Sequence, residues 1–161
     1  MDGVTKYKKY YQECLEKGLE YQDFVTGLLL KEVGIPLSSL SSRKYQYSVG
    51  ENLQGIEIKF DDKYNKTGNL YIEVKEKSNP KNINYINSGI YRNDNSWIYL
   101  IGNYEEIFIF GKSHLKLIYE KGKNIKIKKP TSIGFLLKKE DAEKYCIKKI
   151  KTSKNDRRKS R

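Results

Sequence analysis

Two acidic side chains and one lysine, Glu57, Glu73 and Lys75, are the residues of this sequence whose types and spacing could carry out chemistry. They lie in stretches where apolar and polar residues alternate, a period typical of strands that bury one face. Residues 55–78 therefore predict a β-hairpin with its turn in the polar centre of the segment. Such pairing places Glu57 opposite the Glu73 strand, so that both carboxylates and the lysine share one face.

Two carboxylates held close together favour a bound cation. They repel each other unless a positive charge lies between them, and Mg²⁺ prefers hard oxygen ligands and keeps several of its waters. A metal ion at such a site polarises a phosphodiester and lowers the pKa of a bound water. A lysine two residues beyond one acid lies on the same face of the strand, where it can orient that water or offset charge on the phosphate. The pattern thus predicts Mg²⁺- or Mn²⁺-dependent cleavage of nucleic acid.

The assignment of these roles leaves alternatives open. Hairpin geometry favours Glu57 as the first acid, because an acid near the turn would lie farther from Glu73. Other lysines lie on the same face, so the lysine that assists the water could also be one of those. The further candidates are Asp61 and Asp62 as the first acid and metal ligand, Lys59 and Lys77 as the lysine, and Glu51 as a metal ligand or a turn cap.

The elements that must position these residues follow from hydrophobic periodicity. Apolar residues at spacings of three and four predict a long first helix, and a short continuous apolar run predicts a central strand buried on both faces. The order of elements predicts one mixed β-sheet flanked by helices, an α/β (α+β) fold. The predicted helices are 5–32, 79–91, 113–119 and 140–150, and the strands outside the hairpin are 44–49, 97–101, 106–110, 124–129 and 133–137.

Charge and length point to the class of partner. The chain has 161 residues and a net charge of +12, an excess that favours a polyanion such as DNA. Codon bias of an AT-rich genome explains part of that excess. Residues 1–150 predict one domain, followed by a disordered basic tail at 151–161. The candidate contacts to the nucleic-acid backbone are Arg43, Lys44, Lys59, Lys63 and Lys66.

The two cysteines, Cys14 and Cys146, have neither a metal-ligand spacing nor the pattern of a disulfide framework. A reducing, cytoplasmic compartment is therefore the simplest expectation. No run approaches the ~20 apolar residues of a membrane span, so no membrane partner is expected.

The segment from Glu20 to Ile101 resembles the PD-(D/E)xK nuclease superfamily, which includes restriction endonucleases and Holliday-junction resolvases. The resemblance implies a restriction endonuclease-like αβββαβ core. It assigns Glu73 and Lys75 to the family's Glu-x-Lys element, Glu57 to its first acid, and Glu20 to the helix glutamate of the resolvase-like branch. The first acid is Glu rather than the usual Asp, and no proline precedes it.

The resulting expectation is a Mg²⁺-dependent endonuclease that hydrolyses phosphodiester bonds in DNA, with Glu57 and Glu73 holding the metal and Lys75 assisting the water. Small domains of this kind often act on duplex DNA as homodimers, so a homodimer is a further expectation. The alternatives are an inactive nucleic-acid-binding or scaffold module with a nuclease-like core, and an RNA-directed nuclease.

Overall fold

The computed structural model describes residues 3–40, 42–122 and 124–153, and the side chains among them except those of 3–8, 43 and 47. Arg43, as a side chain, and residues 154–161 of the predicted tail therefore lie outside the described part. The helices are α1 (Gly3–Val33), α2 (Arg43–Ser48), α3 (Tyr64–Thr67), α4 (Lys112–Lys121) and α5 (Lys139–Tyr145). The strands are β1 (Ile56–Phe60), β2 (Asn69–Glu76), β3 (Ile86–Asn87), β4 (Ile98–Gly102), β5 (Glu106–Gly111), β6 (Ile125–Lys128), β7 (Ser132–Lys138) and β8 (Lys148–Lys151).

The strands form two four-stranded sheets, which confirms the mixed α/β class but replaces the predicted single sheet. The first sheet has the order β1-β4-β5-β8, with β1 parallel to β4 and the remaining pairs antiparallel. The second sheet has the order β3-β2-β7-β6 and is antiparallel throughout. The apolar run of β4 occupies an interior position of the first sheet, as predicted.

The predicted hairpin at residues 55–78 is wrong, although both of its strands exist. The short helix α3 lies between β1 and β2, and the two strands belong to different sheets. The partner of β1 is β4, in a register that places Glu57 beside Tyr99. The main partner of β2 is β7, with Glu73 beside Gly134 and a bulge before Lys75. Alternation shows that a segment is a strand, but it does not select the partner.

Helix α1 is one continuous helix, in line with its periodicity, and the described side chains that it buries lie in its second half. The residues that it buries, Tyr21, Phe24, Val25, Leu28 and Leu29, meet the first sheet through Ile56, Ile58, Leu100 and Ile107. The helix ends where Gly34 adopts a positive φ of 68° and its N–H bonds to the Leu30 carbonyl. Residues 9–20 are exposed apart from the half-buried Gly18.

Three further segments differ from their predictions. Residues 44–49 lie mostly in helix α2 rather than in a strand, because six residues are too few for alternation to exclude a helical turn. Residues 79–91 contain β3 and a 3₁₀ turn at Gly89–Tyr91 in place of a helix and of the αβββαβ order. Helix α5 ends at Tyr145, and β8 continues to Lys151, the first residue of the predicted tail.

No helix in the described part of the chain is both long and apolar enough to cross a membrane.

Candidate active site

The hairpin that was expected to bring the three residues of the predicted site together does not form. Glu57 lies in β1 and is only 1% exposed. Glu73 lies in β2 of the second sheet and is partly buried. Lys75 is exposed beyond the bulge of β2, and its side chain has no ion pair with any other described residue. The common face for Glu57 and Lys75 that the hairpin required is therefore wrong.

A different lysine, Lys59, lies between two carboxylates. Its ammonium contacts the Glu57 carboxylate and lies 3.2 Å from Oε1 of Glu51. Glu57 and Lys59 are two residues apart in β1 and so project from the same face. Glu51 precedes the strand, between Gly50 and Gly55, two glycines with positive φ that let the chain turn into β1. We name Glu51, Glu57 and Lys59 the β1 cluster.

Helix α1 and the β1 backbone hold Glu51 in place. Nε2 of Gln22 donates a hydrogen bond of 3.0 Å to Oε2 of Glu51, and the Ile58 N–H lies 3.4 Å from the same oxygen. The helix residue at the cluster is thus Gln22. Glu20, which the family resemblance assigns to this role, is exposed, and its charge acts on Tyr104.

Burial and neighbouring charges shift the pKa values of Glu51 and Lys59. Burial raises the pKa of Glu51, and the Glu57 charge adds to that rise while Lys59 opposes it. Enclosure of the Lys59 ammonium would lower its pKa, but the charges of Glu57 and Glu51 outweigh this and raise it well above the ordinary value. Lys59 is therefore a permanent cation at neutral pH.

Glu57 is the most deeply buried member of the cluster, and one of its oxygens has no partner. Oε2 of Glu57 is enclosed and accepts no hydrogen bond in the described structure. The Glu57 charge also acts on Arg92, where it helps to raise a guanidinium pKa that burial would lower, and on Tyr99, where it adds to the rise that burial causes. An enclosed carboxylate oxygen without a donor is costly to the fold.

Glu73 approaches this network from the second sheet. The buried Ser88 hydroxyl donates a hydrogen bond of 2.8 Å to Oε1 of Glu73. Burial raises the pKa of Glu73, while Ser88 and the charges of Lys59 and Arg92 oppose the rise. Nη2 of Arg92 also lies 3.5 Å from Oε1 of Glu76, which lies in β2 as Glu73 does. Glu73 is thus linked electrostatically to Lys59 although their strands do not pair.

The other sequence candidates have different surroundings. Asp61 accepts backbone N–H bonds from Lys63 at 3.1 Å and Tyr71 at 2.9 Å, and so ties the end of β1 to β2. Asp62 is exposed. Lys77 donates to the carbonyls of Pro80 and Asn82 at 2.8 and 2.7 Å, which holds a loop.

The lysines predicted to contact nucleic acid also differ in their surroundings. Lys44, Lys63 and Lys66 are exposed, as a contact to a phosphate backbone requires. Lys59 is engaged with the acids of the β1 cluster. Lys129, which the sequence did not single out, lies 3.2 Å from the centre of the Tyr71 ring, and burial and the nearby Lys63 lower its pKa.

The described side chains could hold a Mg²⁺ ion only through two carboxylates. No group of three or more His, Cys, Asp or Glu side chains in the described part is placed to hold a metal ion. Mg²⁺ is usually bound through one or two carboxylates, with waters and phosphate oxygens completing the shell. Glu51 and Glu57 supply two carboxylates around the Lys59 ammonium. Oε2 of Glu57 accepts no hydrogen bond from any described residue.

Sequence reasoning selected Glu57 and mentioned Glu51 and Lys59, but it missed Gln22, Ser88 and Arg92. One signal was present, because Glu57-Ile58-Lys59 is itself a Glu-x-Lys element. The missed residues come from a helix and a loop distant in sequence, and no local pattern connects them to β1.

Comparison of the chain with protein-family models, curated proteins and solved structures found no match.

Proposed function

We propose that this chain is a Mg²⁺-dependent nuclease that hydrolyses phosphodiester bonds in DNA, with the β1 cluster as its centre. The observation that carries the proposal is the enclosed Glu57 carboxylate, which shares Lys59 with Glu51 and keeps one oxygen without a partner. The lysine is Lys59 in this proposal, and Glu57-Ile58-Lys59 takes the role that the family resemblance assigned to Glu73 and Lys75.

Each residue of the cluster has a distinct task. Glu57 and Glu51 would hold the metal ion, and bound Mg²⁺ supplies a Lewis acid that polarises the phosphodiester and lowers the pKa of a bound water. Lys59 stays protonated and can offset negative charge on the phosphate. Gln22 positions Glu51. Ser88 donates a hydrogen bond to Glu73, and the Glu57 charge acts on Arg92.

The net charge of +12 supports a polyanionic substrate. It also suits a module that binds nucleic acid without cutting it, and Lys59 already offsets one of the two carboxylate charges without a metal ion. The test must therefore separate cleavage from binding.

The experiment incubates supercoiled, linear duplex and single-stranded DNA, and single-stranded RNA, with the full chain in Mg²⁺ or Mn²⁺, with EDTA as the metal-free control. Removal of a residue that stabilises developing charge costs on the order of 10²-fold or more in rate. We expect such a loss for Glu57→Gln and Lys59→Ala. The matched control is Lys75→Ala, which removes an exposed lysine of the other Glu-x-Lys element and should leave cleavage unchanged.

The outcomes of this experiment distinguish the proposed nuclease from its alternatives. Cleavage lost in Lys75→Ala but kept in Lys59→Ala would move the site to β2. Binding without metal-dependent cleavage on every substrate would support the inactive module. Cutting confined to RNA would support the RNA-directed alternative.

A further inference from the structure

A groove of about 460 Å³ runs between the first half of α1 and strand β1. Its α1 side includes Tyr10, Leu15 and Leu19, and its strand side includes Ile58 and Phe60. Glu51 and Lys59 of the β1 cluster also line it. The groove therefore connects an exposed, largely apolar surface directly to the proposed centre.

The charged residues of the groove are balanced in number. Lys17, Lys59 and Lys63 face Glu13, Glu51 and Asp62, so the groove has no excess of either sign. Apolar walls with a few lysines suit a ligand that combines flat apolar rings with phosphate, which is the chemistry of a nucleotide.

The size of the groove selects among forms of nucleic acid. Its volume lies within the ~300–1,000 Å³ of pockets that enclose one small ligand. A base in a duplex is stacked and paired inside the helix, and it reaches a pocket only after leaving the stack. Bases of an unpaired strand are free to stack on aromatic side chains, whatever the sequence. Tyr10 provides an aromatic ring with 57% of its residue surface exposed.

We propose that this groove binds an unpaired nucleic-acid strand, with a base against Tyr10 and the apolar wall and the backbone directed by Lys17 and Lys63 to the β1 cluster. The assignment rests on the proposed nuclease function for the identity of the reaction, and it adds the substrate class: single-stranded DNA, a flap or a frayed end.

The test measures binding of the full chain in EDTA, where no cleavage occurs, by fluorescence anisotropy. The probes are an oligothymidylate and a blunt duplex of the same length. We expect tighter binding of the oligothymidylate, and a loss of at least about fivefold for Tyr10→Ala, since stacking of one base contributes ~1–3 kcal/mol. Tyr11→Ala is the matched control, because Tyr11 is 53% exposed on the same helix and is not among the groove residues.

A second pair tests the backbone contact. Lys17→Gln should weaken oligothymidylate binding and reduce its salt dependence, whereas Lys31→Gln, an exposed lysine at the other end of α1, should not. All four substitutions lie on the exposed surface of α1, so circular dichroism should show an unchanged fold.

The results separate this inference from the proposed function. Equal binding of duplex and single strand with no effect of Tyr10→Ala overturns the groove assignment, even if the protein cuts DNA. Tyr10-dependent binding of the single strand without metal-dependent cleavage supports the groove assignment and rejects the nuclease.

Discussion

The charged form of the Glu51 side chain is costly to the fold, and the proposed metal-binding role would account for that cost. Burial raises its pKa, so the folded protein holds the proton more tightly than the unfolded chain does. A raised acid pKa means that its contribution to stability declines as pH rises through the window between the unfolded and folded values. At neutral pH the charged Glu51 therefore lowers the free energy of unfolding.

We expect Glu51→Gln to raise the free energy of unfolding by about 0.5–1 kcal/mol at pH 8 and to abolish metal-dependent activity. The amide oxygen can still accept the Gln22 hydrogen bond, whereas the ion pair with Lys59 is lost. Urea unfolding at pH 5 and pH 8 should show that the gain shrinks at the lower pH. Glu13→Gln, an exposed groove acid, is the control. A destabilised Glu51→Gln variant would mean that the ion pair with Lys59 outweighs the cost of burial.

The pKa of Glu106 is shifted in the opposite direction to that of Glu51. Burial alone would raise its pKa, but hydrogen bonds from Lys149, Tyr64 and Lys139 outweigh that effect and lower it to about 2. The contacts measure 2.9 Å from Lys149, 2.9 Å from Tyr64 and 3.1 Å from Lys139. The carboxylate thus joins β5 to β8, α3 and α5.

A lowered acid pKa gives stability that is complete above the unfolded value and is lost as pH falls through the folded value. We expect Glu106→Gln to cost about 1–2 kcal/mol at pH 7, a figure discounted for solvent screening. The difference from the unmodified chain should disappear as pH falls from 4.5 towards 2. The same urea measurement on Glu105→Gln, its exposed neighbour, should show a much smaller effect at every pH.

At the scale of the element, the segment that carries Ser88 must approach β2 closely. Gly89 has a φ of 51°, and a Cβ built there would lie 2.1 Å from the Glu73 carbonyl oxygen. The Ser88 N–H bonds to the Val74 carbonyl at 3.1 Å, beside the bulge of β2. Glycine is thus required both for the backbone conformation and for the contact.

We expect Gly89→Ala to destabilise the protein by about 2–4 kcal/mol, because it adds a backbone clash to the cost of a left-handed conformation. Gly68→Ala is the matched control, since Gly68 has a φ of 65° and nothing lies within 4 Å of its added Cβ. That change should cost only about 1 kcal/mol. Equal losses in thermal or urea unfolding would show that the close contact with β2 is not tight.

The same elements show how far the sequence could predict the structure. Helix α1 and strands β1, β2, β4, β5, β6 and β7 were predicted because their periodicity is local. The pairing of β1 with β4 was not, because it joins residues 42 positions apart, such as Glu57 and Tyr99, and alternation does not encode a partner. The bulge between Glu73 and Lys75 further separates two residues that regular alternation places together.

At the scale of the whole molecule, the charge of +12 is distributed over surface and tail. Residues 154–161 contain five basic residues and one acid. Each phosphate neutralised by a lysine or arginine releases counterions, so the logarithm of affinity falls linearly with the logarithm of salt concentration. The slope of that line measures how many phosphates the protein contacts.

We expect truncation after Ser153 to weaken binding to duplex and single-stranded DNA alike and to make the salt slope less steep by about 0.7–0.9 for each phosphate that the tail neutralises. It should leave the proposed preference for an unpaired strand unchanged, because the groove proposed to give that preference lies beside Tyr10 and not in the removed segment. Anisotropy titrations over a series of salt concentrations measure both quantities in one experiment. An unchanged slope would mean that the tail contacts no phosphate and that the folded surface alone provides the electrostatic attraction.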